Sequence, residues 1–82
     1  MSAYFKFDKE SPLVEVEDVK DAAELVSIFQ ELMTRNQAVP FNMGDGVIMV
    51  KNMGRIDGVV VYETPDHEPE LIMQFNNWKF GA

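Results

Sequence analysis

The sequence predicts an α+β fold: one amphipathic helix packed on a mainly antiparallel sheet of four or five strands, in the chain order ββαβββ, with residues 1–82 forming one domain. Two observations carry this. A single apolar stripe at helical spacing runs through residues 19–35. Three short runs follow it, Val47-Ile48-Met49-Val50, Val59-Val60-Val61-Tyr62 and Leu71-Ile72-Met73, each rich in β-branched residues and bounded by Gly, Asn, Asp or Pro, as strands are.

Taken in order, Tyr4-Phe5-Lys6-Phe7-Asp8 alternates and carries aromatics, which predicts a first strand. Glu10-Ser11-Pro12 is a turn, because proline presets φ and serine starts turns readily. Leu13-Val14-Glu15-Val16 predicts a short second strand, or an extended lead-in to the helix. Asp18 then reads as the N-cap of a helix from Val19 to Arg35, with Asp21 supporting its start and Asp18, Asp21 and Glu24 near the positive end of the dipole. Val19, Ala22, Leu25, Val26, Phe29, Leu32 and Met33 form its apolar face; Lys20, Glu24, Ser27, Glu31, Thr34 and Arg35 fall opposite. Asn36 suits a left-handed stop, and Pro40 prevents continuation.

Residues 37–46 read as a connection. The three apolar runs then read as a meander, joined through turns at Met53-Gly54 or Asp57-Gly58 and at Thr64-Pro65-Asp66-His67-Glu68-Pro69. Phe75 continues the Leu71/Met73 face of the last strand, whereas Trp78 and Phe80 share the parity of Ile72.

These runs lack polar alternation, and successive strand residues point to opposite sides, so each is apolar on both faces. A 17-residue helix, roughly 25 Å by 10 Å, covers one face of a three-stranded patch and no more. Each Val, Leu, Ile or Met left wet forgoes roughly 1.5–3 kcal/mol. The second face therefore needs another partner. Cysteine is absent and His67 is the only histidine, which removes disulfides and the usual zinc sites and leaves association as the expected source of extra stability. A homodimer is the commonest such solution.

Seven basic against fourteen acidic residues give a net charge of −7, which disfavours direct contact with nucleic acid or an anionic membrane. Residues 8–31 hold most of the acids, and a basic protein would be attracted to that surface at long range. No run approaches membrane-spanning length, and the first residues lack the pattern of a secretory signal, so the expectation is a cytoplasmic protein.

Motifs for chemistry are sparse. Gly44-Asp45-Gly46 resembles the opening of a dinucleotide loop but leads into a strand, so a plain turn is expected. Asp66-His67-Glu68, with Glu63 and Glu70, is metal-like in composition but lacks calcium-loop spacing and reads as a solvated loop. No catalytic, cofactor or metal residue is expected. Met33, Met49 and Met73 read as core filler, and Met43 and Met53 as loop residues folded back onto it. Trp78 and Phe80 either cap the core or present an aromatic anchor, with anchor slightly preferred. The expected partner-binding residues are Tyr62, Ile72, Trp78 and Phe80 on the apolar side and Glu17, Asp21, Glu24 and Glu31 on the acidic side. The function expected is a non-enzymatic, homodimeric module that binds a protein partner, as an inhibitor or an adaptor, in its sharper form as a DNA-mimic inhibitor of a nucleic-acid-binding protein. The alternatives are a small-ligand or nucleotide binder, or enzyme, with a pocket between protomers, and a structural subunit of a larger assembly.

Overall fold

The computed structural model describes residues 2–78, and its order of elements is ββαββββ. The strands are β1 (Ala3–Lys6), β2 (Val14–Val16), β3 (Ala38–Gly44), β4 (Val47–Asn52), β5 (Val60–Tyr62) and β6 (Leu71–Met73); the helix is α1 (Ala22–Thr34). Two 3₁₀ turns, Met53–Arg55 and Phe75–Trp78, complete the chain. This is an α+β fold, one helix packed against a four-stranded sheet and a two-stranded hairpin.

The main sheet runs β5-β1-β2-β6, and β3-β4 pair separately. β1 is antiparallel to both β2 and β5, and β6 lies parallel to β2. Registers of Phe5 with Val14 and Val61, and of Val14 with Leu71, place Ala3, Phe5, Val14, Val16, Val61, Leu71 and Met73 on one face. That face is the core side, where Ala3, Phe5, Val14, Val16 and Met73 are buried. The opposite face carries the row Tyr62, Tyr4, Glu15 and Ile72.

The core is wholly apolar among the described residues and centres on aromatic rings. Phe5 meets Phe29 at 4.9 Å and Trp78 at 6.0 Å, and Trp78 meets Phe41 at 5.2 Å, all edge-on geometries that aromatic quadrupoles favour. Helix, main sheet, hairpin and C-terminal turn all contribute rings. Trp78, 3 % exposed, is therefore a core residue rather than a presented anchor. Its position follows from where β6 stops: Met73 ends the strand and Phe75–Trp78 coil into a 3₁₀ turn, so strand parity no longer aims Trp78 outward.

α1 starts one turn later than the sequence suggested. Asp21 is its N-cap, accepting the Glu24 N–H at 2.9 Å, while the Glu24 carboxylate reaches back to the Lys20 N–H at 2.8 Å. Asp18 is used elsewhere. It accepts N–H bonds from Phe75 at 2.6 Å and Asn76 at 2.9 Å, capping the turn that carries Trp78. Hydrogen bonds to a charged group contribute roughly 1.5–3 kcal/mol, less when exposed as here. Asp18→Ala is therefore expected to lower stability by about 1–2 kcal/mol in urea titration, with Asp18→Asn recovering part of it.

The C-terminal stop is as the sequence indicates. Asn36 adopts φ 56°, the Gln37 N–H bonds Leu32 O at 3.0 Å, and the Asn36 N–H bonds Met33 O at 3.1 Å, a Schellman motif. Along α1, Leu25, Ile28, Phe29 and Leu32 are buried, so the apolar stripe includes Ile28 and leaves Val26 39 % exposed.

Two other expectations are corrected. Residues 38–44, read as part of a connection, form β3: Val39 and Phe41 are buried, while Ala38, Pro40 and Asn42 face out. The three apolar runs also do not make a meander. β4 pairs with β3 instead, and β5 and β6 lie on opposite edges of the main sheet, running in the same direction. A hairpin turn cannot join parallel strands, so residues 63–70 form a crossover. Residues Glu63 to Pro69 share a 620 Å³ cavity with Tyr4, Glu15 and Ile72, so the crossover spans part of the outer face.

Candidate protein-interaction surface

The β3-β4 hairpin turns at Asp45 and Gly46, with φ of 53° and 77°, as a type I′ turn requires. Gly44, at φ 88°, sits at a register irregularity after Asn42, whose side chain accepts the Gly44 N–H. Gly44-Asp45-Gly46 is thus hairpin chemistry.

Parity fixes which groups the hairpin uses. The Met53 N–H donates to Gln37 O at 2.8 Å, in line with the pairing of Ala38 with Asn52 and Val39 with Lys51. Bonded and non-bonded pairs alternate in an antiparallel ladder. Val39–Lys51 and Phe41–Met49 are therefore bonded pairs, and the backbone groups of Pro40, Asn42, Ile48, Val50 and Asn52 point away from the partner strand. Pro40 is tolerated because its missing N–H lies on the free edge.

Side chains divide in the same way. Val39, Phe41, Met49 and Lys51 face the core, and the Lys51 ammonium sits 4.5 Å from the centre of the Phe7 ring. The outer face consists of Ala38, Pro40, Asn42, Ile48, Val50 and Asn52, and none of these is charged. Ile48 is 64 % exposed and Val50 68 %, the two most open large apolar residues described.

The sequence-derived residues scatter around this surface. Ile72, 60 % exposed on the β6 edge, lines a 510 Å³ cleft with Glu17, Pro40 and Ile48, so Glu17 and Ile72 are brought together beside the hairpin. Tyr62 is half-buried on β5, the opposite edge of the main sheet from Ile72, paired with Tyr4. Phe80 lies outside the described residues. On the helix, Asp21 and Glu24 serve the N-terminus, and Glu31 holds the Arg35 guanidinium at 2.6 Å, both side chains about half exposed. These carboxylates have local partners rather than standing as an open phosphate-like array.

His67 is exposed, 4.0 Å from Asp66, and no group of three metal-ligating side chains occurs among the described residues. The exposure of Ile48 and Val50 is not legible in the sequence, although their run is singled out there. The signal lay in β3: without a strand at 38–44, β4 was assigned to the main sheet, and its open side could not be identified.

Comparison with protein-family models, curated proteins and solved structures finds no match. Function must then be argued from the surface itself.

Proposed function

We propose that this protein is a non-enzymatic interaction module that docks on a protein partner through the outer face of the β3-β4 hairpin. The observation that carries this reading is the exposure of Ile48 and Val50 on an uncharged face of a chain whose net charge is −7. Surplus apolar surface gathered on one element, with polar surroundings, marks an interaction site.

The two versions of the module differ in salt dependence. An inhibitor that imitates nucleic acid through Glu17, Asp21, Glu24 and Glu31 would lose its partner as salt rises. A module that docks through Ile48 and Val50 keeps its partner in 0.5 M salt, and the commitments of Asp21, Glu24 and Glu31 favour this version.

The test is affinity capture at 0.5 M salt with the wild-type chain and with the Ile48→Asp/Val50→Asp double variant as baits. Surface substitutions of this kind change stability by about 0.5 kcal/mol or less each, so the variant is expected to stay folded by circular dichroism. A protein retained by wild type and lost by the variant is the expected result. Equal capture by both baits, or release of the partner by salt alone, would overturn the assignment to the hairpin.

A further inference from the structure

We infer that the inner side of the hairpin holds a ligand site: a narrow slot takes the hydrocarbon tail of a small monocarboxylate, and the Lys51 ammonium takes its carboxylate. The slot lies on the opposite side of β4 from Ile48 and Val50, so it is separate from the docking surface.

The site starts as a gap in the packing. The hairpin and the main sheet pair separately, and a 70 Å³ cavity remains where they meet, walled by Phe5, Phe7, Phe41, Met43, Met49 and Met73. Protein interiors are close-packed and leave few voids larger than a water molecule. By volume this one has room for about two waters, each of which needs two to four polar partners. Among the described residues that line it, only Ser11 and Lys51 are polar. Ser11 is already occupied: its hydroxyl accepts the N–H groups of Phe7 at 2.9 Å and Asp8 at 3.0 Å and donates to the Asp8 carbonyl at 3.1 Å. The lining therefore suits hydrocarbon better than water. A cavity of about 150 Å³ admits benzene, so this slot suits a chain of about three or four carbons. Three adaptable thioether side chains let it widen slightly.

Lys51 supplies the other half. Its ammonium stands 4.5 Å from the centre of the Phe7 ring, and among the described residues no carboxylate lies within 4 Å of it. Half-buried over a ring face, it meets less competition from water for an anion than a lysine in open solvent does. Phe7 and Lys51 also line a wider cavity of 830 Å³, together with Arg55, Asp8 and Asp57. The Phe7–Lys51 pair thus stands where the slot opens into a polar vestibule. Of the two acids there, Asp8 is committed to its own turn, where Oδ1 accepts the Glu10 N–H at 2.9 Å and the Ser11 N–H at 2.8 Å. Two acids beside two bases tolerate one negative charge and oppose several, which favours a carboxylate over a phosphate or nucleotide.

The experiment is a titration of the chain, labelled with ¹³C at its methionine methyl groups, with propanoate, pentanoate and octanoate. Pentanol and pentylamine are the controls for the head group. The signals of Met43, Met49 and Met73 are expected to shift together and to saturate, while those of Met33 and Met53, which do not line the slot, stay in place. Pentanoate is expected to bind with a dissociation constant on the order of 1 mM. Affinity should rise about fourfold per methylene from propanoate to pentanoate and gain nothing further at octanoate. Lys51→Met keeps the length of the side chain and removes its charge. It is expected to weaken pentanoate at least about fivefold and leave pentanol unchanged, with circular dichroism checking the fold. If that variant unfolds, the comparison of pentanoate with pentanol and pentylamine on the wild-type chain decides.

No shift at about 50 mM pentanoate, far above the expected constant, would overturn the inference. Unsaturable shifts of all five methyl groups would overturn it too, since they mean partition into the core at large. Pentanol or pentylamine binding as well as pentanoate, or a Lys51→Met chain that holds pentanoate like wild type, would overturn the carboxylate assignment. Failure of the hairpin as a docking surface shows separately, as unchanged capture by the Ile48→Asp/Val50→Asp chain.

Discussion

Trp78→Ala is expected to remove most of the stability of this protein. The indole is 3 % exposed and touches rings from four parts of the fold: Phe5 on β1, Phe29 on α1, Phe41 on β3 and Phe75 in its own turn. Truncating a buried tryptophan to alanine costs about 3–5 kcal/mol, through lost transfer energy and the cavity left behind. An 82-residue chain has only on the order of 4–12 kcal/mol in total. The melting temperature should therefore fall by on the order of 20 °C, and part of the population should be unfolded at room temperature. Trp78→Phe keeps a ring in the same space and is expected to lose about half as much or less. Urea titration followed by circular dichroism measures both.

The wild-type chain supplies an independent check, because Trp78 is its only tryptophan. Its emission is expected to be blue-shifted and poorly quenched by iodide. An exposed emission spectrum, together with an alanine variant as stable as wild type, would place Trp78 back on the surface as an anchor. In the sequence, that reading rests on an aromatic residue beside the polar Asn76-Asn77 pair, and strand parity continued past Met73 would place Trp78 with Ile72. The strand ends at Met73, and nothing in the local composition of Gln74-Phe75-Asn76 announces the turn. What holds the turn is Asp18, far away in sequence.

The same distinction separates what could be read from what could not. The body of α1 and its stop at Asn36 were legible, because helical spacing and a left-handed asparagine are local signals. The start was less so, since Asp18 and Asp21 are both good N-caps by type; Glu24 three residues after Asp21 is the local signal for the later start, and Asp18 is drawn away to Phe75 and Asn76. β3 was hidden by Pro40, which punctuates a sequence even though an edge strand accepts it. Pairing was the least legible. The connection 63–70 is short enough for a hairpin, and its role as a crossover depends on β1 and β2 occupying the middle of the sheet. The apolar runs did show surplus surface. Which side of β4 stays open became clear only with the partner strand in place, and that is the side on which Ile48 and Val50 stand exposed.

Gly54→Ala is expected to cost about 2–3 kcal/mol, a large effect for one added methyl. Gly54 lies in the 3₁₀ turn that crosses the C-terminal end of α1, and a Cβ there would stand 2.7 Å from the Asn36 Cα and 2.6 Å from its Cγ, and would also collide with the Asn36 side-chain oxygen. Asn36 cannot retreat cheaply. Its N–H closes the Schellman motif on Met33 O, and Gln37 beside it is tied to both Leu32 O and the Met53 N–H. Met53, fully buried, would be displaced with the turn. Asn36→Gly removes the side chain from the collision and suits φ 56°, but leaves the Cα where it is. The double variant is therefore expected to recover part of the loss and not all of it. Had the collision involved only the flexible side chain, recovery would be complete; if Gly54→Ala alone matched wild type in urea titration, the close contact between helix end and turn would not exist. The outcome also bears on the hairpin, because this contact fixes where β4 ends. A chain whose 53–55 turn has been pushed outward should lose the edge geometry at Asn52 before it loses the helix.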